Sequence, residues 1–221
     1  MIAQADVVHD VPYYAQWESP ELVEAIIGGR LSAAEDPAWA ASGAATPEEY
    51  AWWARRLCGM ACLRMALHHV TGTRPPRALD LAGDYLRAGA YVKRDDGGLG
   101  GLIYAPFAAH TSARHPLQVD VRPELTLGEV ASLVRGGSLV MLSVHPWVRT
   151  PERQPPQRGG HLVLAVGAGG AAAGTGADDD ALFLHNPSGF AGRSQRFVRL
   201  THAELEPFFA GRGVVLTGRT A

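Results

Sequence analysis

The order of local patterns along the chain constrains its fold more than any other sequence feature. Helix-start signals, a capping residue followed by proline, occur early, at Ser19-Pro20-Glu21 and at Thr46-Pro47-Glu48-Glu49. Runs rich in branched apolar residues, typical of strands, come later, at residues 138–145, 161–166 and 181–185. Helices before strands, rather than strands alternating with helices, predict an α+β fold.

We predict a single domain over residues 1–221, with a helical half over about residues 1–137 and a sheet half over about 138–221. Within the helical half, we predict that residues from about 17 to 57 form an inserted group of helices. The 47% apolar and 19% charged composition is that of a globular chain long enough to bury a sizeable core. Further helices are predicted from Cys58 onward and at 76–89, 126–137 and 201–204. Further strands are predicted at 197–200 and 214–217. Loops are predicted at 28–45, 146–160 and 167–180.

Several classes of protein are excluded by composition. A net charge of −2 argues against a nucleic-acid partner, and two cysteines cannot build a disulfide framework. The sequence contains no apolar run long enough to span a membrane. Its first ten residues have neither the basic nor the apolar region of a signal peptide, so we expect a cytoplasmic protein. No cofactor is expected, because the glycine-rich stretch within 167–177 lacks the strand-then-helix setting of a phosphate loop. The strong preference for arginine, with Lys93 as the lone lysine, indicates a GC-rich, bacterial genome.

Cys58 is a candidate nucleophile because it begins a helical pattern. Apolar positions recur every three or four residues after it, at Ala61, Cys62, Met65, Ala66 and His69. The partial positive charge at a helix N-terminus favours thiolate over thiol, and Gly59 is expected to leave room for a substrate backbone. The alternative for a single cysteine at an apolar position is packing in the core.

His161 and Asn186 are candidates to act with this thiol. His161 follows Gly159-Gly160 and opens an apolar strand, so its approach is open and its backbone is fixed. An antiparallel hairpin centred between residues 173 and 174 would place Asn186 directly opposite His161, where its amide can hold the imidazole in one tautomer. The alternative is that Asn186-Pro187-Ser188-Gly189 is an ordinary turn, and both descriptions can hold together.

Gln16, in Tyr13-Tyr14-Ala15-Gln16-Trp17, is the fourth candidate, because a glutamine amide can donate to a developing oxyanion. A metal site from Cys58, Cys62 and His68-His69 is not expected, since Cys62 and His69 lie two turns apart on one helix. A disulfide between Cys58 and Cys62 would be strained within a helix. We therefore assign Cys62 to the core and predict no metal.

The chain resembles the C39-like group of papain-fold cysteine peptidases. The stretches that carry the resemblance follow the family's order and are Val11-Pro12-Tyr13-Tyr14-Ala15-Gln16, Cys58-Gly59-Met60-Ala61-Cys62-Leu63-Arg64-Met65-Ala66-Leu67, Gly159-Gly160-His161-Leu162-Val163-Leu164-Ala165-Val166-Gly167 and His185-Asn186-Pro187. The resemblance implies a papain-like fold, with the cysteine at a helix N-terminus packed on a C-terminal antiparallel sheet. It further implies that Cys58 is the nucleophile, His161 the base, Asn186 the orienting residue and Gln16 an oxyanion donor.

Two departures from the family pattern accompany this resemblance. Residues 17–57 separate Gln16 from Cys58, where the family has only a few residues, and Asn186 stands where C39-like proteins commonly have aspartate. The resemblance implies hydrolysis of an amide bond in a peptide or peptide-like substrate through an acyl-enzyme thioester. Acyl or peptidyl transfer by the same cysteine, and an inactive binding protein of the same fold, remain as alternatives. Neither the oligomeric state nor recognition of a double-glycine leader follows from the sequence.

Overall fold

The computed structural model describes residues 6–170 and 180–219 and contains one antiparallel sheet of seven strands. The strands are β1 (Val7–Val8), β2 (Leu117–Arg122), β3 (Leu139–Val144), β4 (His161–Gly169), β5 (Ala181–His185), β6 (Val198–Thr201) and β7 (Phe209–Gly218). Their order is β2-β7-β3-β4-β5-β6, and β1 pairs with the far end of β4. Helices and an antiparallel sheet together confirm the mixed α and β class expected from the sequence.

Seven α-helices and four short 3-10 turns surround the sheet in the described residues. The helices are α1 (Val23–Ile27), α2 (Pro47–Ala54), α3 (Cys58–Thr71), α4 (Ala78–Arg87), α5 (Tyr104–Arg114), α6 (Leu127–Arg135) and α7 (His202–Leu205). The 3-10 turns are Pro20–Leu22, Ala33–Glu35, Trp39–Ser42 and Pro146–Arg149. No helix in the ranges 6–170 and 180–219 combines the length and apolar character needed to cross a bilayer.

The strand β4 lies at the centre of the molecule, with both faces covered. Leu162, Leu164 and Val166 pack with α3 into one apolar cluster, whereas Val163 and Ala165 pack with α6 into another. A strand covered on both faces is apolar at successive positions, which explains the run that identified it in the sequence. The start of β4 is thereby held rigidly against the first turn of α3.

Capping residues begin three of the helices as the sequence indicates. The side-chain oxygens of Thr46, Thr126 and Thr201 each accept a hydrogen bond from the backbone N–H three residues later. Ser19 differs, because its hydroxyl donates to Asp36 at 2.6 Å instead of capping the turn after it. Ser19 therefore links two parts of the 17–57 segment through Asp36 and does not cap a helix.

Several elements differ from the sequence prediction. β2 and α5 fall in a region where no strand or helix is predicted. The loop predicted over residues 28–45 contains two 3-10 turns, and the loop predicted over 146–160 begins with another, Pro146–Arg149. Because β1 and β2 both join the sheet, the sheet takes strands from the first 137 residues as well as from the later part. The predicted connection at 167–180 begins later than expected, since β4 runs to Gly169; residues 171–179 lie outside the described part.

The predicted register of the β4–β5 hairpin is wrong by two residues. Leu164 pairs with His185, so continuing the ladder places Asn186 opposite Val163 and not opposite His161. The ladder also shifts between Ala165 and Gly167 through a β-bulge. Because the error is two residues, an even number, Asn186 and His161 still point to the same face of the sheet. Without the bulge, Asn186 would lie opposite Leu164, and its side chain would point to the other face from that of His161.

Candidate active site

Cys58 is the first residue of α3 and is half-buried. The preceding residue, Leu57, offers no side-chain cap, so the N–H groups of the first turn are free to face the sulfur. The backbone N–H groups of Gly59 and of Cys58 itself lower the pKa of the thiol, as does the N–H of Leu162 on β4. Two elements therefore direct backbone dipoles at one sulfur.

Burial nevertheless raises the pKa of the Cys58 thiol above its ordinary value. Removal from water penalises the thiolate more than the helix N-terminus and the nearby Arg149 guanidinium stabilise it. The expectation that the helix start favours thiolate is therefore corrected for this site. The dipole acts in the expected direction, but desolvation is the larger effect.

The space beside Gly59 has a different use from the one expected. A Cβ atom at this position would lie 2.8 Å from Leu102 Cδ2 and 3.3 Å from Leu162 Cδ1. The prediction that Gly59 leaves room for a substrate backbone is therefore wrong, because the side chains of Leu102 and Leu162 fill that space. The glycine allows the segment before α5 and the start of β4 to close on the first turn of α3.

His161 is buried at the start of β4, and its ring is held by the turn that follows β5. Its Nε2 lies 2.9 Å from Asn186 Oδ1 and 3.0 Å from Ser188 Oγ. Asn186 Oδ1 also accepts from the Ser188 backbone N–H at 3.0 Å, which identifies it as the acceptor for the imidazole. His161 therefore carries its proton on Nε2, and the lone pair is on Nδ1.

Ser188 is the residue of this arrangement that the sequence analysis missed. Its N–H and hydroxyl both reach Asn186 Oδ1, forming the local turn in which an asparagine side chain accepts from the second residue after it. Asn186 is consequently both a turn residue and the partner of His161. The Asn-Pro-Ser-Gly sequence was the available signal, since an asparagine followed by proline and glycine is typical of turns.

The N-terminal segment holds Asn186 from behind. The Tyr13 hydroxyl donates to the Asn186 carbonyl at 2.9 Å, and the Gln16 N–H donates to the Pro187 carbonyl at 2.9 Å. His185 Nε2 donates to the Val11 carbonyl at 2.8 Å, because its Nδ1 accepts from a backbone N–H. Three hydrogen bonds thereby fix the backbone from which the Asn186 amide projects.

The Gln16 side chain is bound to the end of α2 rather than to His161 or Asn186. Its Nε2 donates to the Ala54 carbonyl at the end of α2, at 3.0 Å, and its buried Oε1 has no hydrogen-bond partner in the described residues. Gln16 is also absent from the walls of the cavity that contains Cys58. The structure thus brings the Gln16 backbone beside Asn186-Pro187 and directs its amide toward the segment before Cys58.

Electrostatics at His161 favour the neutral imidazole. Burial, followed by the nearby Arg149 cation, lowers the His161 pKa to about 3, while the Asn186 hydrogen bond acts in the opposite direction. Arg149 lies in the 3-10 turn after β3, and burial lowers its own pKa to about 10. A guanidinium close to both Cys58 and His161 stabilises a thiolate and opposes an imidazolium.

A cavity of about 280 Å³ contains Cys58 and His161 on its walls. The remaining lining comes from the segment before Cys58, from residues 99–104, from the end of β3, from the start of β4 and from β7. These residues are Arg55, Arg56, Leu99, Gly100, Gly101, Leu102, Tyr104, Ser143, Gly160, Leu162 and Arg212. Within the described residues no hydrogen bond joins Cys58 to His161. The two candidates share one cavity, and the base already has its orienting partner.

Cys62 lies one turn deeper in α3 and is fully buried. Its thiol is 3.8 Å from the Leu162 carbonyl, and burial raises its pKa well above the ordinary value. The assignment of Cys62 to the core is confirmed. Across residues 6–170 and 180–219, no group of three or more His, Cys, Asp or Glu side chains is placed to hold a metal ion.

The fold is similar to that of a solved structure. A crystal structure titled "putative C39-like peptidase" from Bacillus anthracis superposes with a TM-score of 0.51 and 14% sequence identity, covering 75% of this chain and 90% of that one. No protein-family profile matches the chain, and no curated protein matches it. The two chains therefore share a fold, and the neighbour carries the name of the family that the sequence resembles.

Proposed function

We propose that this protein is a cysteine peptidase-like thiol hydrolase that cleaves a peptide bond with Cys58, His161 and Asn186. One observation carries the proposal: the His161 imidazole is bound through Nε2 to Asn186 while it lines the same cavity as Cys58. A base fixed on one nitrogen and free on the other, next to a nucleophile, is the arrangement that nucleophilic catalysis needs. The C39-like fold supports the same reaction class.

In the proposed reaction Cys58 Sγ attacks the amide carbon while His161 Nδ1 takes the thiol proton. The imidazolium then gives that proton to the leaving amine, which leaves an acyl thioester on Cys58. A water molecule, deprotonated by His161, attacks the thioester and releases the acid and the free thiol. Because His161 is neutral at rest, its pKa must rise when the thiolate forms beside it, as a negative charge stabilises the imidazolium.

The oxyanion of the tetrahedral intermediate needs hydrogen-bond donors close to Cys58. The Cys58 backbone N–H supplies one, because the first N–H groups of a helix have no intrahelical acceptor. We retain Gln16 as the second donor in this proposal. One N–H of its amide is bound to the Ala54 carbonyl, so the other N–H, or a rotation of the side chain, has to serve the oxyanion.

Covalent labelling tests the nucleophile directly. The folded chain is treated with iodoacetamide at mildly alkaline pH, and the modified residue is located by peptide mass spectrometry. We expect Cys58 to be labelled and the label to disappear in Cys58→Ala. The matched control is Cys62→Ala, which removes the other thiol and is expected to retain the label on Cys58. Labelling of Cys62 alone would contradict the assignment.

Turnover tests the reaction class. Cleavage of a diverse peptide mixture is followed by the appearance of new termini, with Cys58→Ala as the inactive reference. Added amines separate hydrolysis from transfer, because a transferase would form amide products at the expense of the free acid.

We further propose a reducing compartment such as the cytoplasm, since Cys58 and Cys62 are both free thiols.

A further inference from the structure

The cavity beside Cys58 has walls of one charge sign. Three arginines line it, Arg55 and Arg56 from the segment between α2 and α3 and Arg212 from β7, and no aspartate or glutamate is among the lining residues. The whole chain carries a net charge of −2, so this local excess of positive charge does not follow from composition. Clefts lined by one sign of charge concentrate ligands of the opposite sign.

These arginines also lack a carboxylate partner of their own. Other arginines of the described residues form ion pairs, as Arg77 does with Asp80 and Arg193 with Glu24. Among the ion pairs in the ranges 6–170 and 180–219, none includes an arginine of this cavity. The guanidinium groups of this cavity are therefore available to pair with a negatively charged group of a ligand.

Arg212 is directed to the cavity by an irregularity in the sheet. Between the pairs Leu142 with Gly213 and Val144 with Phe209, β7 has more residues than β3, so residues 210–212 form a bulge beside Ser143. Bulges re-aim side chains and are frequent next to active sites. A Cβ built on Gly159 would be 3.3 Å from Arg212 Nη2 and 3.2 Å from Ser143 Oγ, which places both polar groups at the same spot before His161.

Tyr104 completes this polar wall. It lines the cavity together with Ser143 and Arg212, and burial raises the pKa of its hydroxyl, whereas Ser143 and the Arg212 charge act in the opposite direction. The Arg56 guanidinium lies 4.7 Å over the Trp52 ring and donates to the Trp52 carbonyl. Arg56 is thereby held in place by Trp52, and both Arg56 and Arg212 line the cavity that contains Cys58.

We propose that this cavity binds a carboxylate of the substrate, next to the bond that Cys58 attacks. Arg212 and Arg56 are the receptors, because a guanidinium matches a carboxylate in shape and charge and binds it with paired hydrogen bonds. The carboxylate belongs to an acidic side chain or to a free chain end. This inference rests on the proposed function in one respect only, that Cys58 is the reactive thiol.

A pair of alkylating reagents of nearly equal size tests the proposal. Iodoacetate carries a carboxylate and iodoacetamide a neutral amide in its place, so the ratio of their rates at Cys58 measures attraction of the carboxylate. N-acetylcysteine gives the reference ratio for a free thiol. At low ionic strength we expect the ratio at Cys58 to exceed the reference by about tenfold, the effect of one well-placed charged hydrogen bond.

Arginine variants assign the effect to its residues. Arg212→Gln and Arg56→Gln are each expected to lower the ratio by several-fold. Arg122→Gln is the matched control, because it removes the same charge from an exposed position at the end of β2, away from the cavity walls. A ratio that falls equally in all three variants would show a general field effect and would overturn the proposed site.

The two proposals fail in different ways. If neither reagent labels Cys58, the nucleophile assignment fails; if both label it with the reference ratio, the nucleophile stands and the carboxylate site is wrong. The source of the carboxylate is separated by protection against iodoacetamide. Protection by N-acetylaspartate amide indicates an acidic side chain, and protection by N-acetylalanine indicates a free chain end. Protection by neither, at millimolar concentration, would count against carboxylate binding.

Discussion

His161 Nε2 and Asn186 Oδ1 lie 2.9 Å apart although the sheet register offsets the two residues by two positions. The contact depends on the bulge between Ala165 and Gly167, which returns both side chains to one face, and on the turn in which Ser188 binds the same amide oxygen. The orientation of the imidazole is thus a product of β4, β5 and the turn after β5 together.

Asn186→Asp is expected to raise the pKa of His161. A carboxylate beside the imidazole stabilises the imidazolium, whereas the present amide supplies only a neutral acceptor. The pKa is measured from the pH dependence of the His161 ring signals in NMR spectra. Asn186→Ala is the complementary variant, and loss of this buried hydrogen bond is expected to destabilise the fold by about 1–3 kcal/mol. An unchanged His161 pKa in Asn186→Asp would contradict the contact.

The rate of Cys58 alkylation by iodoacetamide is expected to increase with pH through the neutral range without a plateau. Burial raises the pKa of the thiol and lowers that of His161, so both groups are neutral at rest and the thiolate forms only as pH approaches the raised thiol pKa. The measurement is the rate constant against pH. A plateau extending below neutral pH would indicate a preformed thiolate–imidazolium pair instead.

Arg149→Gln is expected to raise the Cys58 pKa further and to slow its alkylation at a given pH. The Arg149 guanidinium stabilises the thiolate, so its removal leaves burial less opposed. Arg153→Gln is the control, since Arg153 lies just after the same 3-10 turn, stacks on Trp147 and does not act on the Cys58 thiol. Equal shifts of the rate profile in both variants would contradict the assignment to Arg149.

Acid is expected to destabilise the fold partly through His161. Its pKa is about 3 when folded and about 6.5 when unfolded, so the unfolded chain binds more protons between these values. Stability is therefore complete above about pH 6.5 and is lost as pH falls toward 3, with a loss of about 2 kcal/mol by pH 5 from this residue. Urea unfolding at pH 7 and pH 5 measures the loss, and His161→Gln should reduce it by that amount.

Gly160→Ala is expected to destabilise the protein and to displace His161. Gly160 has a φ of +99°, where a side chain costs about 1–2 kcal/mol, although the space beside it is open. Gly128→Ala is the matched control, because that glycine lies inside α6 with open space and alanine there should stabilise by about 0.5–1 kcal/mol. Urea unfolding compares the two variants, and similar effects of both would contradict the backbone argument.

Much of the fold could be predicted because local signals report local structure. Thr46, Thr126 and Thr201 begin helices as predicted, and the apolar runs from 139, 161 and 181 form strands. β2 was missed although Leu117, Val119 and Val121 alternate with polar residues, the usual pattern of a half-buried strand. Its place at the edge of the sheet beside β7 depends on a pairing between residues far apart in the chain.

Candidate-site residues were predictable to the extent that their chemistry is visible in their type and neighbours. Cys58 before a helical run and His161 at the start of an apolar strand were such positions, and the structure places both in one cavity. Ser188, Arg149 and Arg212 were not found, since a serine in a turn and arginines in loops or strands have many ordinary uses. Their significance lies in what surrounds them.

The sequence by itself determined most of the helices and the strands from β3 onward, three helix caps and the residue types able to act as nucleophile and base, because these depend on neighbouring side chains and backbone propensities. Only the tertiary structure decided the face of Asn186, the raised pKa of Cys58 and the convergence of Arg56 and Arg212 on one cavity. The physical reason is that register, desolvation and electrostatic fields are set by segments that are distant in the chain and meet only on folding.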